Sequence, residues 1–193
     1  MIGEFATERL ILRPATLDDV DLVQQLDTDI EVMRYITRHA SSREESMTEL
    51  ARSIGARWMV SDTGEFLGWV GANATTDAYE LGWRFRSSVW GRGYATEATR
   101  ALVEKLFELG ASRVFAQTMA VNTRSRAVME RVGLTYSRTF HLHFDDPLPG
   151  TELGEVEYEL RRIDWVANTP PGHIAERAAK CLTVRQDGWG KDR

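Results

Sequence analysis

Apolar residues in the first third of the chain follow one strand-like pattern and then two helix-like patterns. Residues 9–13 enclose three apolar residues between two arginines, which is typical of a strand, and we expect it to stop at Pro14, which has no N–H to donate to a sheet. Residues 16–19 resemble a helix capping box with aspartate in place of glutamate. Apolar residues follow at helical spacing: Leu17, Val20, Val23 and Leu26. Residues 42–45 form a second Ser-x-x-Glu helix start, and Gly55 ends that helix.

The next segment predicts a hairpin and a third strand. Residues 57–61 and 65–71 are two strand candidates joined by a turn over residues 62–64, where Gly64 supplies a residue that readily takes a positive φ. Residues 78–85 form the third candidate. Alternation places four of its large side chains on one face: Tyr79, Leu81, Trp83 and Phe85. The opposite face then carries Glu80, Gly82 and Arg84.

The second half alternates helices with strands. A glycine-bearing loop leads into a long helix over residues 94–109, which Gly110 ends. A strand follows around Val114, Ala116 and Thr118, and a shorter helix over residues 123–132 ends at Gly133. Two final strands are predicted over residues 134–143 and 154–161. This order indicates a mixed α/β (α+β) domain.

The pattern changes near the C-terminal end, so we divide the chain into a domain over residues 1–166 and a tail over residues 167–193. The sequence Pro170-Pro171-Gly172 breaks the chain, and apolar residues beyond it are spaced for one short helix: Ile174, Ala178, Cys181 and Leu182. Either this tail is partly ordered, or it docks on the domain or on a partner subunit.

Composition supports one globular domain. Of the 193 residues, 42% are hydrophobic and 27% charged, enough apolar content for one sizeable core. No apolar run approaches the roughly 18 residues that span a bilayer, and residues 1–9 lack the apolar stretch of a signal peptide. A single cysteine, Cys181, excludes an intrachain disulfide. We therefore expect a cytoplasmic protein without membrane contact.

The net charge and the distribution of basic residues indicate which classes of partner the protein binds. The formal net charge is -5, and the basic residues are scattered rather than gathered into a stripe, which argues against a nucleic-acid partner. A mildly acidic protein is compatible with a cationic acceptor such as an amine.

Residues 90–97, between the third strand and the long helix, are the main candidate for a binding site. A strand, a glycine-containing turn and a helix start form a natural anion site, because the first helical N–H groups have no internal partner. A dinucleotide fingerprint would need glycine where this chain has Thr96, and a Walker loop would need lysine after Gly93, where Tyr94 stands. On these residues alone, a tight turn without a ligand remains the alternative.

Three segments together resemble the GNAT superfamily of acetyltransferases. They are Glu80-Leu81-Gly82-Trp83, the loop over residues 90–95, and residues 122–134 from Asn122-Thr123-Arg124-Ser125 to Gly133-Leu134. The opening residues 7–14 also resemble the N-terminal strand of the branch that contains ribosomal-protein alanine and serine N-terminal acetyltransferases. The resemblance covers residues 7–165 in order. It implies a GNAT-like, mostly antiparallel central sheet with two splayed parallel strands, flanked by helices.

The resemblance also implies acetyl-CoA as the acetyl donor and assigns residues to it. The pantetheine arm is expected on the backbone of Trp83, Arg84 and Phe85, with Asn122 and Ser125 beside the pantetheine and the thioester sulfur. The pyrophosphate is expected on the N–H groups of six loop residues: Gly91, Arg92, Gly93, Tyr94, Ala95 and Thr96.

Two positions depart from the family pattern. Trp90 stands where Gln or Arg usually opens the loop, which leaves the backbone cradle intact. Met129 stands where many members have a tyrosine that protonates the leaving thiolate, and methionine cannot donate a proton. Ser125 is our first candidate for that role, with a water molecule or Tyr136 as alternatives.

Glu80 is the candidate base that deprotonates the acceptor amine, directly or through water, since the branch carries a glutamate there. A solvated charge on a strand face is the alternative. His141 and His143 could share a strand face, but no third ligand accompanies them, and we predict no metal site.

The sequence thus predicts an N-acetyltransferase acting on a protein N-terminus, a peptide or a small amine by direct attack in a ternary complex. A non-catalytic acyl-CoA-binding module is the alternative, and a scaffold role of the tail is the third reading. The resemblance is compatible with a homodimer. Residues 27–55 and 141–154 are expected to select the acceptor, which the sequence does not identify.

Overall fold

The computed structural model describes residues 2–37 and 39–168. Its strands are β1 Phe5–Ala6, β2 Ile11–Pro14, β3 Arg57–Asp62, β4 Glu65–Ala74, β5 Tyr79–Phe85, β6 Arg113–Met119, β7 Thr135–Phe140 and β8 Glu155–Arg161. Its α-helices are α1 Val20–Asp27, α2 Ile30–Met33, α3 Arg43–Ser53, α4 Tyr94–Glu108, α5 Thr123–Val132 and α6 Arg162–Asn168. Short 3₁₀ turns occur at Leu17–Asp19, Ser87–Val89 and Thr151–Leu153.

The eight strands form one sheet in the order β1-β2-β3-β4-β5-β6-β8-β7. Every neighbouring pair is antiparallel except β5 and β6. These two pair in parallel only at their first residues, where Tyr79 lies opposite Val114 and Glu80 opposite Phe115. Beyond that point the two strands separate within the described part of the chain, which confirms the predicted mixed sheet with splayed parallel strands.

Both predicted helix starts form the expected reciprocal contacts. Ser42 N–H donates to Glu45 Oε2 (2.7 Å), and Glu45 N–H donates to Ser42 Oγ (3.3 Å). At the first helix, Thr16 N–H donates to Asp19 Oδ2 (2.8 Å). These bonds satisfy donors that have no acceptor inside the helix and so fix where each helix begins.

The hairpin turn is tighter than predicted. Asp62 still pairs with Glu65, so the turn consists of Thr63 and Gly64 alone. Both have positive φ (47° and 92°), as the two central residues of a type I′ turn require.

Three short elements were not predicted. They are β1, the four-residue helix α2 and helix α6. Helix α2 is too short for a periodic signal and depends on its cap, since Asp29 Oδ1 accepts from Glu31 N–H (2.9 Å). The strand predicted over residues 134–143 ends at Phe140, because its partner β8 begins opposite, at Glu155. The predicted tail helix beyond Pro170 lies outside the described residues.

The two faces of the sheet carry separate cores. Helices α4 and α5 cover one face, where Leu102, Phe107 and Met129 are buried against Leu81 and Val114. Helices α1 and α3 cover the other face over β3 and β4. That smaller core includes Val23, Leu26, Leu50, Met59 and Trp69. Trp58 and Trp69, one on each strand of the β3–β4 hairpin, are both buried.

Candidate functional site

The glycine loop delivers a row of backbone N–H groups to the separated strands. Gly91 (φ 77°) and Gly93 (φ 81°) take left-handed conformations, and helix α4 starts directly after Gly93. The helical hydrogen bonds begin with Glu97 N–H, which donates to Gly93 O (3.0 Å). The N–H groups of Tyr94, Ala95 and Thr96 therefore lack an acceptor inside the helix and can bind an anion at its positive end.

A cleft of about 1070 Å³ opens in front of these groups. It is bounded by β5 on one side and by the start of α5 on the other. All the residues that the sequence assigned to the donor line it: Trp83, Arg84, Phe85, Gly91, Arg92, Gly93, Tyr94, Ala95, Thr96, Asn122 and Ser125. The cleft thus combines a backbone anion cradle with an open strand edge, and it fits a long ligand that carries a pyrophosphate.

Along β5, the backbone N–H and C=O groups of successive residues point alternately toward β4 and toward the open edge. Arg86 N–H donates to Leu67 O in β4 (2.9 Å). In an antiparallel ladder, hydrogen-bonded residue pairs alternate with pairs that are not hydrogen-bonded. Arg84 therefore turns its backbone groups toward β4, whereas Trp83 and Phe85 turn theirs toward the gap left by β6. The Trp90 indole N–H already donates to Phe85 O (2.9 Å). Of the three residues predicted to pair with the pantetheine arm, Trp83 and Phe85 have the required backbone direction and Arg84 does not.

A second cavity of about 690 Å³ lies beyond the gap, and Glu80 is among the residues that line it. Both cavities are lined by Tyr35, Ile36, Trp83, Arg84, Asn122 and Ser125. The two predicted catalytic residues, Glu80 and Ser125, therefore meet at one cavity although 45 residues separate them in the sequence.

Ser125 is held at the junction by the cap of helix α5. Ser125 N–H donates to Asn122 Oδ1 (3.2 Å), and Asn122 Nδ2 donates to Ser125 Oγ (3.2 Å) and to Thr118 Oγ1 (3.0 Å). Both amide hydrogens of Asn122 are thus committed within the protein. Because Ser125 Oγ accepts this bond, its own hydrogen is available for a ligand.

The other candidates for protonating the leaving group occupy different places. Met129 is 1% exposed and lines the second cavity, so it supplies an apolar wall and no proton donor there. The Tyr136 hydroxyl bonds to Thr139 Oγ1 (2.8 Å), and Tyr136 belongs to neither cavity. Tyr35, which the sequence analysis did not single out, lines both cavities. It carried no signal because it lies in an irregular stretch after α2.

Besides Glu80, a further carboxyl group lines the second cavity. Glu155, at the start of β8, is partly buried there, and burial raises the pKa of its carboxyl. In the sequence, Glu155 belongs to an acidic set that could attract a cationic acceptor but is more typical of a solvated loop: Asp145, Asp146, Glu152, Glu155 and Glu157. The pairing of β8 with β6 brings Glu155 opposite Met119, at the second cavity.

Behind this cavity lies a buried charge network. Arg84 is 8% exposed and pairs with Asp27, which is fully buried and also accepts from Ser46 Oγ (2.6 Å). Glu49 lies 3.5 Å from Arg84 and 2.7 Å from Arg57. The Arg84 side chain therefore has a structural role in the cavity wall, joining β5 to helices α1 and α3.

Residues 7–9 contact helix α4 and the glycine loop at the edge of the first cavity, the cofactor-side cleft. The Glu97 carboxylate accepts from Thr7 Oγ1 (2.5 Å) and from Arg9 Nε (2.7 Å). Arg9 Nη1 also donates to Arg92 O (3.2 Å), and its guanidinium lies 4.7 Å from the centroid of the Tyr94 ring. This segment therefore touches the loop that carries the anion cradle.

Within the described residues, no group of three or more His, Cys, Asp and Glu side chains is arranged to hold a metal ion. His141 and His143 are exposed and lie outside both cavities. No helix in the described part of the chain is long and apolar enough to cross a membrane.

Known proteins resemble this chain in sequence and in fold. The sequence model of the acetyltransferase (GNAT) domain matches residues 9–135. FsC-acetyl coenzyme A-N(2)-transacetylase of Aspergillus fumigatus is 34% identical over 191 residues, covering 89% of this chain and 81% of that protein. The structure of a GNAT-family acetyltransferase from Bacillus anthracis superposes with a TM-score of 0.71 at 26% identity, covering 83% of this chain and 99% of that one. RimL, a ribosomal L7/L12 alpha-N-protein acetyltransferase in complex with coenzyme A, shares the fold at a TM-score of 0.69 and 20% identity, covering 80% and 95%.

Proposed function

Because the chain belongs to the GNAT acetyltransferase family and uses acetyl-CoA as its acetyl donor, we propose that it acetylates a primary amine bound in the second cavity. One observation carries the proposal: the cofactor-side cleft and the second cavity meet where β5 and β6 separate, and Ser125 lines both. Donor and acceptor can therefore bind together, as direct transfer in a ternary complex requires.

In this proposal the backbone of the cleft binds the donor. The N–H groups of residues 91–96 hold the pyrophosphate, and the outward-facing backbone groups of Trp83 and Phe85 pair with the pantetheine arm like an added strand. When bound, acetyl-CoA supplies the activated acetyl group as a thioester. The N–H groups along this strand edge are preorganised donors for its carbonyl oxygen as negative charge develops there.

Glu80 and Ser125 assist the transfer. Glu80 accepts a proton from the acceptor amine, directly or through water, as the N–C bond forms and the C–S bond breaks, and then releases it to solvent. Ser125 stabilises the departing thiolate by a hydrogen bond and keeps its own proton. An α-amine with a pKa near 8 is roughly 10% neutral at pH 7, whereas lysine near 10.4 is well under 0.1% neutral. Lysine would need about 3 kcal/mol more help with deprotonation, so an α-amine acceptor demands less of the base.

The names of relatives are consistent with a nitrogen acceptor. The fungal relative is named an N(2)-transacetylase, and RimL an alpha-N-protein acetyltransferase. For this chain the acceptor class of the proposal is therefore a small amine, a peptide or a protein N-terminus.

The first test is thermal unfolding with and without acetyl-CoA, with ATP and NAD as controls. Ligand at about 100 times its dissociation constant adds about 2.7 kcal/mol, which raises the Tm by several degrees in a protein of this size. A rise with acetyl-CoA alone supports the donor site, and no rise in a folded sample contradicts it.

The second test follows release of the free CoA thiol across a panel of amines. Glu80→Gln should lower kcat by about 10² or more while leaving the dissociation constant of acetyl-CoA unchanged. Glu108→Gln, exposed at the end of helix α4 and outside the lining of both cavities, is the matched control and should retain wild-type activity.

One observation favours the alternative of a non-catalytic acyl-CoA-binding module. Met129 fills the position from which many relatives donate a proton, and it is buried in the cavity wall. Binding of acetyl-CoA without thiol release from any amine would support that function instead.

A further inference from the structure

A carboxylate lies beside a cradle that is built for an anion. Glu97 stands in the first turn of helix α4, lines the same cleft as residues 91–96, and has 20% of its side chain exposed. Burial alone would raise its pKa, but hydrogen bonds from Thr7 and Arg9 outweigh that effect and hold the pKa below its ordinary value. Glu97 is therefore ionised at neutral pH and, left alone, would repel a pyrophosphate.

Arg9 meets this charge from a segment 88 residues away. Its Nε and Nη2 atoms contact Glu97 Oε2 at 2.7 Å and 2.5 Å, and its backbone N–H donates to Oε1 (3.2 Å). The same guanidinium donates through Nη1 to Arg92 O, inside the glycine loop. The Arg9 side chain thus neutralises the Glu97 carboxylate and also binds the backbone of the glycine loop.

We propose that Arg9 is a positioning residue for the donor, which neutralises Glu97 and fixes the Arg92–Gly93 backbone so that the cradle can accept a pyrophosphate. The inference rests on the proposed function of this cleft. Charge cancellation and direct phosphate contact lead to opposite expectations when both partners are removed. If Arg9 acts mainly by cancelling Glu97, removing Glu97 as well restores most of the binding, and only the contribution of the bond to Arg92 O stays lost.

The test measures the dissociation constant of CoA for the full chain by calorimetry, in four forms. Arg9→Met should weaken binding about tenfold, because it leaves Glu97 unpaired beside the phosphates. Glu97→Gln alone should change binding less than about threefold, and the double variant should bind more tightly than Arg9→Met. A double variant as weak as Arg9→Met would overturn the neutralisation role.

The salt dependence of CoA binding distinguishes charge neutralisation by Arg9 from a purely structural role. Repulsion between Glu97 and the phosphates is screened as ionic strength rises, so the defect of Arg9→Met relative to wild type should shrink between about 0.05 M and 0.5 M salt. A defect that stays constant over this range would contradict the proposal.

Two further variants keep the test decisive. Arg9→Lys retains the charge and serves if Arg9→Met does not fold; it should bind CoA within about threefold of wild type, and a larger loss would count against neutralisation. Arg43→Met removes an exposed arginine that pairs with Asp21 (3.0 Å) away from the cleft, and it should leave CoA binding unchanged. If wild type fails to bind CoA, the proposed function itself fails. If wild type and all variants bind within twofold, only the role of Arg9 is overturned.

Discussion

The cofactor-side cleft and the second cavity are built from different parts of the chain. The cleft depends on consecutive backbone groups of residues 91–96, whose direction is set by two glycines and a helix start. The cavity is formed by side chains from distant segments, among them Tyr35, Glu80, Met129 and Glu155. A site made of consecutive backbone can tolerate side-chain change, whereas a site made of dispersed side chains can change its ligand with few substitutions.

Each region also contains an arginine–carboxylate ion pair, and the two pairs differ in how deeply they are buried. Arg84 and Asp27, behind the cavity, are almost fully buried. In the Arg9–Glu97 pair of the cleft, 42% of the arginine side chain and 20% of the glutamate side chain are exposed. A buried pair becomes costly when one partner is removed, while an exposed pair contributes little to folding. The comparison therefore predicts a large contribution to stability from the Arg84–Asp27 pair and a small one from the Arg9–Glu97 pair.

The largest effect is expected from Asp27→Asn. It leaves the Arg84 guanidinium buried with Glu49 as its remaining carboxylate, and we expect the free energy of unfolding to fall by about 3 kcal/mol or more in denaturant titration. Asp21→Asn, in the exposed pair with Arg43, should cost less than about 1 kcal/mol. Equal losses in the two variants would remove the distinction between buried and exposed pairs.

Ser125→Ala tests the junction between the regions. Loss of the hydroxyl donor should lower kcat about 10- to 100-fold, the range of about 1.5–3 kcal/mol for a hydrogen bond to a charged group, with the affinity for acetyl-CoA retained. Tyr136→Phe is the control, since that hydroxyl lies outside both cavities. If Tyr35→Phe abolishes turnover and Ser125→Ala does not, the hydrogen-bond donor to the departing thiolate is Tyr35.

Gly91→Ala tests whether the cleft depends on backbone conformation. Alanine at φ 77° costs about 1–2 kcal/mol, although its Cβ would meet no atom within 4 Å, so relaxation of the loop should weaken CoA binding up to about tenfold. Gly64→Ala has a similar φ of 92° and the same free space in the hairpin turn. It should lower the Tm comparably but leave CoA binding intact, and an equal loss of binding in both variants would contradict the assignment.

The smallest effect concerns Glu155, on the cavity side. Because burial raises its pKa in the folded protein, the ionised form is disfavoured and stability falls as pH rises through the folded pKa. Glu155→Gln should therefore raise the Tm slightly at pH 8 and have no such effect near pH 4. A loss of Tm at pH 8 would show that the carboxylate has a stabilising partner.

The two regions also differ in how far the sequence could predict them. The glycine loop and the helix starts at Tyr94 and Thr123 are local signals, and the sequence located them correctly. The backbone direction of Arg84 was not predictable from local pattern, since it depends on the register of β5 against β4. Tyr35 and Glu155 enter the cavity only through tertiary placement. The roles proposed for the site residues remain predictions until the variants are measured.

The two-residue contact between β5 and β6 has a consequence for local opening. Strands β1–β5 and strands β6–β8 are joined within the sheet by this short parallel contact, so they behave as two sub-sheets with a weak seam. Amide protons along the seam, including those of Trp83 and Phe85, should exchange rapidly with solvent in the free protein. A bound pantetheine arm would link the two sub-sheets across this seam. Amide hydrogen exchange should then slow not only at the seam but also in β6 and β8, far beyond the atoms that the ligand touches.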